Sequence, residues 1–203
     1  MHSLQTQDLK ENTMAQARTL SAAEFEQLLA HIDTRKYAVR NRCMMLLTHW
    51  AGLRIGEVAC LRWSDVVTPD GAVKAEIRLL PDMTKGRHPR TVFINGRLRA
   101  ELETYAAITR CADRGYPLFA SQKSLREGFS ANSLAQTFAL LYAGAGLAGA
   151  SSHSGRRTFL TSLANKGTAI HILKTLAGHR NIATTAAYLY SSPAQLRAAV
   201  ELV

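Results

Sequence analysis

The sequence predicts a mainly helical domain with one small antiparallel β-sheet, an α+β fold. Apolar residues recur at helical spacing along most of the 203-residue chain. Strand character is confined to two short stretches joined by a polar loop, and because no crossover helix separates them, the strands must be antiparallel. The hydrophobic fraction of 47% and the charged fraction of 20% are those of an ordinary globular domain with its own core.

Capping residues and apolar spacing predict where the helices lie. Residues 1–18 are polar and aperiodic, so we expect a flexible N-terminal arm. Ser21 and Glu24 form a capping-box pattern, which predicts a first helix that extends to about Ile32. Further helices are predicted at about 37–50, 53–61, 98–108, 130–142, 155–165, 169–176 and 182–190, with a short tail helix at 193–203.

The sheet is predicted from residues 73–80 and 91–94, which flank the polar loop. Trp63, Val66 and Val67 lead into a turn at Pro69-Asp70-Gly71 that precedes the first strand. No internal repeat or second linker is evident. Residues 19–203 are therefore predicted to form a single domain that includes the tail helix.

The three cysteines, Cys43, Cys60 and Cys111, are widely spaced and form no CxxC pair. This pattern argues against a disulfide framework and against a zinc cluster, and it fits a reducing compartment. Cys43 and Cys60 have apolar neighbours, so both are predicted to be small core residues. We expect neither a metal nor another cofactor.

The charge balance points to a polyanionic partner. The formal net charge is +10 and the isoelectric point is about 10.0. Nucleic acid is the first candidate and an anionic membrane the second, while a basic protein without such a partner stays open. No run approaches the roughly 20 apolar residues of a membrane span, and the N-terminus lacks the apolar core of a signal peptide. A cytoplasmic protein without a membrane partner is expected.

Arg54 is the first candidate functional residue. It follows Gly52 at a predicted helix start, between two apolar residues. A buried guanidinium needs a partner, and Glu57, three residues later, can supply one as a structural ion pair. A cation at a helix N-terminus is otherwise unfavourable unless an anion joins it, which favours a phosphate ligand. Both interpretations stay open.

The predicted hairpin loop is basic, with Lys85, Arg87, His88 and Arg90 within six residues. Such a loop is usually solvated, or it binds phosphates without sequence preference. A lysine that enters a groove can instead donate a proton to a leaving oxygen.

Two histidines and two tyrosines complete the candidates. His153 and Arg156 share a helix face and can offer a proton acceptor and a phosphate clamp, or simply a capping histidine beside a surface arginine. His179 follows a helix and can merely interact with the helix dipole. Tyr188 and Tyr190 are two residues apart on the helix predicted at 182–190, so only one of them can face a site.

In their order along the chain, these residues resemble the motifs of the tyrosine recombinase (phage integrase) family. The matching segments are Gly52–Val58, Thr84–Gly86, His153–Thr158 and Leu176–Tyr188. The last of them, a Gly-His pair with a tyrosine nine residues after the histidine, is highly specific. The resemblance extends over about residues 20–190 and implies the catalytic-domain fold of that family.

The resemblance also implies catalytic roles. Arg54 and Arg156 would clamp the scissile phosphate and stabilise its pentacoordinate transition state. Lys85 would protonate the leaving 5′-oxygen. His153 would accept the proton of the nucleophile, and His179 would hydrogen-bond a non-bridging oxygen.

Tyr188 would be the nucleophile, since it has the family's spacing from the Gly-His pair and Tyr190 does not. A phenol is a weak nucleophile near neutral pH, and guanidinium groups with a lysine in a closed site would lower the cost of the developing charge. Glu57 would support the site from behind the arginines. DNA contacts are expected from Arg87, Arg90, Arg157 and Arg180.

The function implied is site-specific recombination, in which duplex DNA is cleaved and rejoined through a covalent 3′-phosphotyrosine without a metal ion or ATP. The partners implied are double-stranded recombination sites, further copies of the chain in a tetramer on two paired sites, and accessory DNA-bending proteins. The tail at 193–203 would dock on a neighbouring copy or pack on its own domain. A type IB topoisomerase and a DNA-binding regulator that no longer cuts are the alternatives.

The sequence departs from the family pattern in two respects. Gly155 replaces the apolar residue that usually precedes the second arginine, and we expect it to loosen the start of that helix. The chain also lacks room for the separate N-terminal domain of most members. We therefore expect either part of a longer protein or a short member, such as those that invert fimbrial promoters.

Overall fold

The computed structural model describes residues 17–111, 113–188, 197, 200 and 201. Within these residues the chain forms nine α-helices, one 3-10 turn at Pro81–Met83 and one two-stranded antiparallel sheet. The helices are α1 (Ala22–Asp33), α2 (Ala38–Trp50), α3 (Ile55–Cys60), α4 (Trp63–Val66), α5 (Gly96–Thr109), α6 (Ala131–Gly144), α7 (Ser154–Asn165), α8 (Ile170–Ala177) and α9 (Ile182–Ala186). The strands are β1 (Glu76–Leu79) and β2 (Arg90–Phe93), and the predicted fold class is confirmed.

The helix α2 forms the centre of the domain. It is buried around most of its circumference, polar side chains included, and it packs against α1, α3, α5 and α7. Its fully buried apolar side chains are Cys43, Met44, Met45, Leu46 and Leu47. The chain leaves α2 at Gly52, whose φ of +66° suits glycine, and this turn delivers Arg54 to the start of α3.

The first helix begins as its sequence predicts. The Ser21 hydroxyl accepts a hydrogen bond from the Glu24 amide at 3.3 Å, and the Glu24 carboxylate accepts one from the Ser21 amide at 2.9 Å. The capping box is therefore confirmed, and it satisfies two backbone donors that a helix start leaves free.

The sheet is shorter than predicted. Glu76 pairs with Phe93 and Leu79 with Arg90, so the register turns Ile77 and Val92 into the core. Val73 does not extend β1, because it forms an isolated bridge with Val67 instead. The loop between the strands projects from the end of the hairpin next to Arg90.

One short helix has no counterpart in the sequence prediction, and two local predictions are wrong. Residues 63–66 form the one-turn helix α4, which Asp65 caps by accepting from the Arg62 amide at 2.7 Å. Cys60 is exposed at the end of α3, whereas Cys43 is buried as predicted. The helix predicted at 182–190 ends at Ala186, because the Tyr188 amide closes a tight turn onto the Thr185 carbonyl at 3.0 Å.

Gly155 lies at a firm helix start rather than a loose one. The helix α7 begins at Ser154, whose hydroxyl accepts from the Ser151 amide at 2.9 Å. A Cβ atom on Gly155 would overlap both the Thr48 hydroxyl and the His49 ring. The glycine therefore permits the close approach of α7 to α2.

Most of the predicted arm at 1–18 and of the predicted tail helix at 193–203 lies outside the described residues, as does Tyr190. Of the helices that the structure describes, none combines the length and the apolarity needed to cross a bilayer.

His49 is a buried titratable group at the contact between α2 and α7. Its Nδ1 lies 3.1 Å from the Met45 carbonyl, and its ring stacks on Phe25 with the centroids 4.4 Å apart. Its Nε2 has no hydrogen-bond partner among the described residues. Burial lowers the pKa of His49 to about 4, since a second proton would bring an uncompensated charge into the core.

We predict that His49 makes the fold less stable in acid. A histidine in the unfolded chain titrates near pH 6.5. Between pH 6.5 and 4, the unfolded chain therefore binds a proton at this position that the folded chain does not. Stability should therefore be fully present above pH 6.5 and fall as the pH drops through this window. The slope of unfolding free energy against pH is proportional to the difference in bound protons between the unfolded and the folded chain. His49→Gln should reduce that difference by up to about one proton.

Chemical denaturation at a series of pH values measures this slope. His171→Gln, on the exposed face of α8, is the matched control and should keep the slope of the unmodified chain. An unchanged slope in His49→Gln would contradict the prediction.

Candidate active site

Five of the predicted site residues, Arg54, Lys85, Arg90, His179 and Arg180, line a cavity of about 460 Å³ between the hairpin loop, the start of α3 and the turn that joins α8 to α9. Its described lining residues are Arg54, Thr84, Lys85, Gly86, His88, Pro89, Arg90, Gly178, His179, Arg180, Asn181 and Thr184. None of these described lining residues is acidic. The cavity therefore suits an anion.

A buried carboxylate holds the cationic side chains in place. The Glu57 side chain is 1% exposed, and its Oε1 accepts from Arg54 Nη1 at 2.9 Å while its Oε2 accepts from Arg90 Nη2 at 2.6 Å. It also accepts from the Arg54 amide at 2.7 Å. Burial raises the pKa of Glu57, but the hydrogen bond and charge of Arg90 and then of Arg54 outweigh burial, so the net pKa is lowered.

Arg54 forms the ion pair that its sequence context allows, and it also lines the cavity. Its guanidinium pairs with Glu57, and its side chain remains 28% exposed where it lines the cavity. The Nη2 atom also donates to the carbonyl of Ala177 at 3.2 Å. The ion pair therefore orients a cation that still faces the cavity.

Arg156 is buried against backbone carbonyls. Its Nη1 donates to Gly52 O at 2.6 Å, and its Nη2 donates to Ala177 O and lies 3.2 Å from His179 Nε2. No carboxylate among the described residues forms an ion pair with it. Burial, followed by the positive charges of Arg54 and Arg90, lowers the pKa of Arg156 to about 9, which still leaves it charged at neutral pH. An entering anion would relieve this repulsion.

His179 follows the α8 C-terminus, where Gly178 has a φ of +59°. A Cβ atom on Gly178 would lie 2.5 Å from Arg90 Cδ, so the glycine is needed both for its φ and for the close approach of Arg90. Burial and then the positive charges of Arg156, Arg54 and Arg90 lower the pKa of His179 to about 4. The imidazole is therefore neutral at pH 7.

Tyr188 stands beside this histidine. The two rings stack with centroids 5.9 Å apart and planes inclined by 18°. The guanidinium carbon of Arg157 lies 6.0 Å from the centre of the Tyr188 ring, within cation–π range. The phenol is half-buried and lies just beyond α9.

The remaining predicted residues lie at different depths. Lys85 and Arg180 line the cavity with exposed side chains, and Arg87 is exposed in the same loop as Lys85. His153 is exposed at the N-cap of α7 and does not line the cavity; its Nδ1 lies 3.4 Å from the Ser152 hydroxyl.

Arg90 is more deeply placed than a loop residue that contacts DNA. Its side chain is 7% exposed, and besides Glu57 it binds the carbonyl of Leu176 at 2.8 Å. Most of its donors are thus taken up within the protein. Sequence reasoning treated the residue as part of the basic loop, although its period-2 spacing with Val92 and Ile94, which are both buried, marks an inward-facing strand position.

Thr185 is a neighbour of the site that sequence reasoning did not select. Its side chain is fully buried, and its hydroxyl lies 3.0 Å from His179 Nδ1. The spacing of six residues between His179 and Thr185 does not by itself predict this contact.

The fold presents a cationic cavity on a mainly helical scaffold, with a tyrosine stacked on the histidine that lines it. The chain belongs to the phage integrase family, whose model matches residues 18–195. A tyrosine recombinase XerD of Rickettsia conorii is 29% identical over 196 residues, which cover 89% of this chain. This chain spans only 62% of that relative.

Solved structures place the fold among tyrosine recombinase catalytic domains. The catalytic domain of bacteriophage HP1 integrase superposes with a TM-score of 0.62 at 24% identity, over 91% of this chain and 94% of that one. A Tn1549 transposon integrase in complex with a circular intermediate DNA gives a TM-score of 0.77 at 21% identity, over 98% of this chain and 70% of that one. The fold implied by the sequence motifs is therefore confirmed.

We predict that Arg90 supports the fold more than its loop neighbour Arg87 does. Arg90→Met should lower the unfolding free energy by about 2 to 4 kcal/mol, because it leaves a buried carboxylate with one cationic partner fewer. Arg87→Met, at an exposed position of the same loop, should change it by no more than about 0.5 kcal/mol. Equilibrium denaturation of both variants measures the difference, and equal losses would show that Arg90 has no such role.

Proposed function

We propose that this chain is the catalytic domain of a site-specific DNA recombinase that cleaves and rejoins duplex DNA through Tyr188. The observation that carries the proposal is the cavity itself. It presents Arg54, Lys85 and His179 to one space, it has no acidic residue among its described lining, and Tyr188 lies against its histidine. A phosphodiester carries a negative charge that these cations can neutralise, and a phenol can attack its phosphorus.

The positions of the cations suggest how the reaction proceeds. Arg54 and Arg156 hold the non-bridging oxygens of the scissile phosphate, and their charge stabilises the pentacoordinate transition state. The oxygen of Tyr188 forms a bond to phosphorus as the bond to the 5′-oxygen breaks. Lys85, on the exposed hairpin loop, donates the proton that the leaving oxygen takes up.

His153 is the proposed acceptor of the Tyr188 proton. It is the N-cap of the helix that carries Arg156, three residues away. Catalytic hydrogen bonds often form only in the complex with substrate, so we assign this contact to the DNA-bound state. The 3′-phosphotyrosine keeps the energy of the broken bond, so the reverse attack by a 5′-hydroxyl reseals the strand without ATP.

The DNA is held by charge around the cavity. Arg87 and Arg180 are exposed beside Lys85, and Arg157 lies above the ring of Tyr188. The net charge of +10 supports binding that weakens with salt, because each neutralised phosphate releases a counterion. Arg90 is assigned to holding Glu57 rather than to the DNA.

The assembly and the domain plan are part of the same proposal. Residues 19–203 form the catalytic domain, and its partners are two duplex sites, a tetramer of the chain and accessory DNA-bending proteins. The Tn1549 integrase, which shares the fold, was solved in complex with a circular intermediate DNA, and this supports DNA as the ligand.

We predict that the protein forms a covalent adduct with DNA that depends on Tyr188. The DNA would be a nicked duplex bearing a site selected by the protein from a random-sequence library. A nick just beyond the cleavage point lets the short fragment with the freed 5′-hydroxyl diffuse away. The strand cannot be resealed, so the phosphotyrosine is trapped, and a denaturing gel detects it. Tyr188→Phe should abolish the adduct, whereas Tyr37→Phe, which alters an exposed phenol on α2's N-cap, should leave it unchanged.

Two results would contradict this proposal in different ways. Tight and specific binding of the selected site without any adduct would leave the DNA-binding regulator as the better description. An adduct that persists in Tyr188→Phe but disappears in Tyr190→Phe would move the nucleophile to Tyr190.

A further inference from the structure

We propose that Thr185 is a positioning residue, whose hydroxyl sets the orientation and tautomer of His179 and whose carbonyl seats Tyr188. The inference rests on the proposed function for its catalytic consequence. Its geometric content is independent of that function, because it concerns contacts within the protein.

Thr185 contacts both residues at once. Its side-chain Oγ1 lies 3.0 Å from His179 Nδ1, and its carbonyl accepts from the Tyr188 amide at 3.0 Å. The side chain is fully buried, so water does not compete for the hydroxyl. One residue thus fixes the ring of the histidine and the backbone of the tyrosine that stacks on it.

The hydroxyl of Thr185 behaves differently from those of four other helical threonines. Threonine in a helix commonly hydrogen-bonds the carbonyl four residues earlier. Four described threonines do so, at donor–acceptor distances of 2.8 to 2.9 Å: Thr104, Thr137, Thr158 and Thr175. Thr185 instead directs its hydroxyl to the imidazole, which is the contact expected of a residue that orients a functional histidine.

The two hydrogen bonds of the ring define its tautomer. Arg156 Nη2, which can only donate, lies 3.2 Å from Nε2, so this contact favours an Nε2 that accepts and carries no proton. The single proton of the neutral ring is then on Nδ1, which donates to Thr185 Oγ1. The neutral form is favoured because burial, then Arg156, Arg54 and Arg90, lower the pKa of His179 to about 4.

A bound phosphate requires the opposite tautomer. When a phosphoryl oxygen occupies the position facing Nε2, that nitrogen must donate, so the proton must move from Nδ1 to Nε2. The exchange passes through solvent and leaves the net charge of the ring unchanged. A hydroxyl can reverse its role and donate to the now unprotonated Nδ1. Thr185 therefore supports His179 both before and after DNA binds.

The first test uses the free protein. Nitrogen-15 NMR of histidine-labelled chain reports which ring nitrogen is protonated, and a His179→Gln variant assigns the signals. We expect His179 to be protonated on Nδ1 in the unmodified chain and in Thr185→Ser, which keeps the hydroxyl. In Thr185→Val, which keeps the shape, the signals of the two nitrogens should move towards the average of the two tautomers.

The second test measures the rate of adduct formation on the nicked duplex. Thr185→Val should slow it by roughly 10- to 100-fold, by analogy with the loss of hydrogen-bond partners behind metal-binding histidines, with DNA affinity changed less than about 3-fold. Thr185→Ser should restore most of the rate. Thr175→Val, which removes a helical hydroxyl from the exposed face of α8, is the control and should match the unmodified chain.

The two measurements separate this inference from the proposed function. If the unmodified chain forms no adduct, the proposed function fails, while the NMR result still decides the pairing of Thr185 with His179. An NMR signature and an adduct rate in Thr185→Val equal to those of the unmodified chain would overturn the inference. So would a Thr185→Ser variant as slow as Thr185→Val, because the effect would then come from packing rather than from the hydroxyl.

Discussion

The ion pairs of Glu57 are the interaction on which the site depends. One buried carboxylate binds Arg54 from the start of α3 and Arg90 from β2, and Arg90 reaches on to the carbonyl at the end of α8. Three segments that are distant in sequence are thereby joined through one side chain. Removing one partner of a buried pair leaves a charge without compensation, so the arrangement tolerates little change.

The same carboxylate leaves the cluster with an excess of positive charge. Three guanidinium groups, those of Arg54, Arg90 and Arg156, surround one carboxylate, so the formal charge is +3 − 1 = +2. Burial lowers the pKa values of both Arg156 and His179, and the positive charges of the neighbouring guanidinium groups lower both further. The folded protein tolerates this excess positive charge because the backbone carbonyls of Gly52 and Ala177 accept hydrogen bonds from Arg156. An anion that enters the cavity supplies the missing negative charge.

Much of the fold follows from the sequence because its signals are local. The capping box at Ser21, the helical apolar spacing and the short polar loop between strands each depend on a few adjacent residues. The errors occur where distant contacts decide. Cys60 has apolar sequence neighbours yet ends on the surface, and Gly155 is explained only by the approach of α7 to α2. The last helix stops early because of the turn that brings Tyr188 beside His179.

The candidate site divides in the same way. The residues themselves indicated cations suited to a phosphate, and the family motifs supplied the roles now proposed for Lys85, His153 and Tyr188. Neither source indicated that Arg90 binds Glu57 or that Thr185 binds His179. Arg90 and Glu57 lie far apart in the chain, and Thr185 uses its hydroxyl in a way that is uncommon for a helical threonine.

The most direct test of the account asks whether the cations act on the charge of the phosphate. The rate of adduct formation is measured for the unmodified chain and for Arg54→Ala on two nicked duplexes, one with the natural scissile phosphate and one with a neutral methylphosphonate. On the phosphate, the loss of Arg54 should slow the reaction on the order of 100-fold or more. On the methylphosphonate, which carries one negative charge fewer at the reacting phosphorus, the two proteins should react at nearly the same rate. An equal loss on both duplexes would contradict the account, since Arg54 would then support the structure without acting on the phosphate.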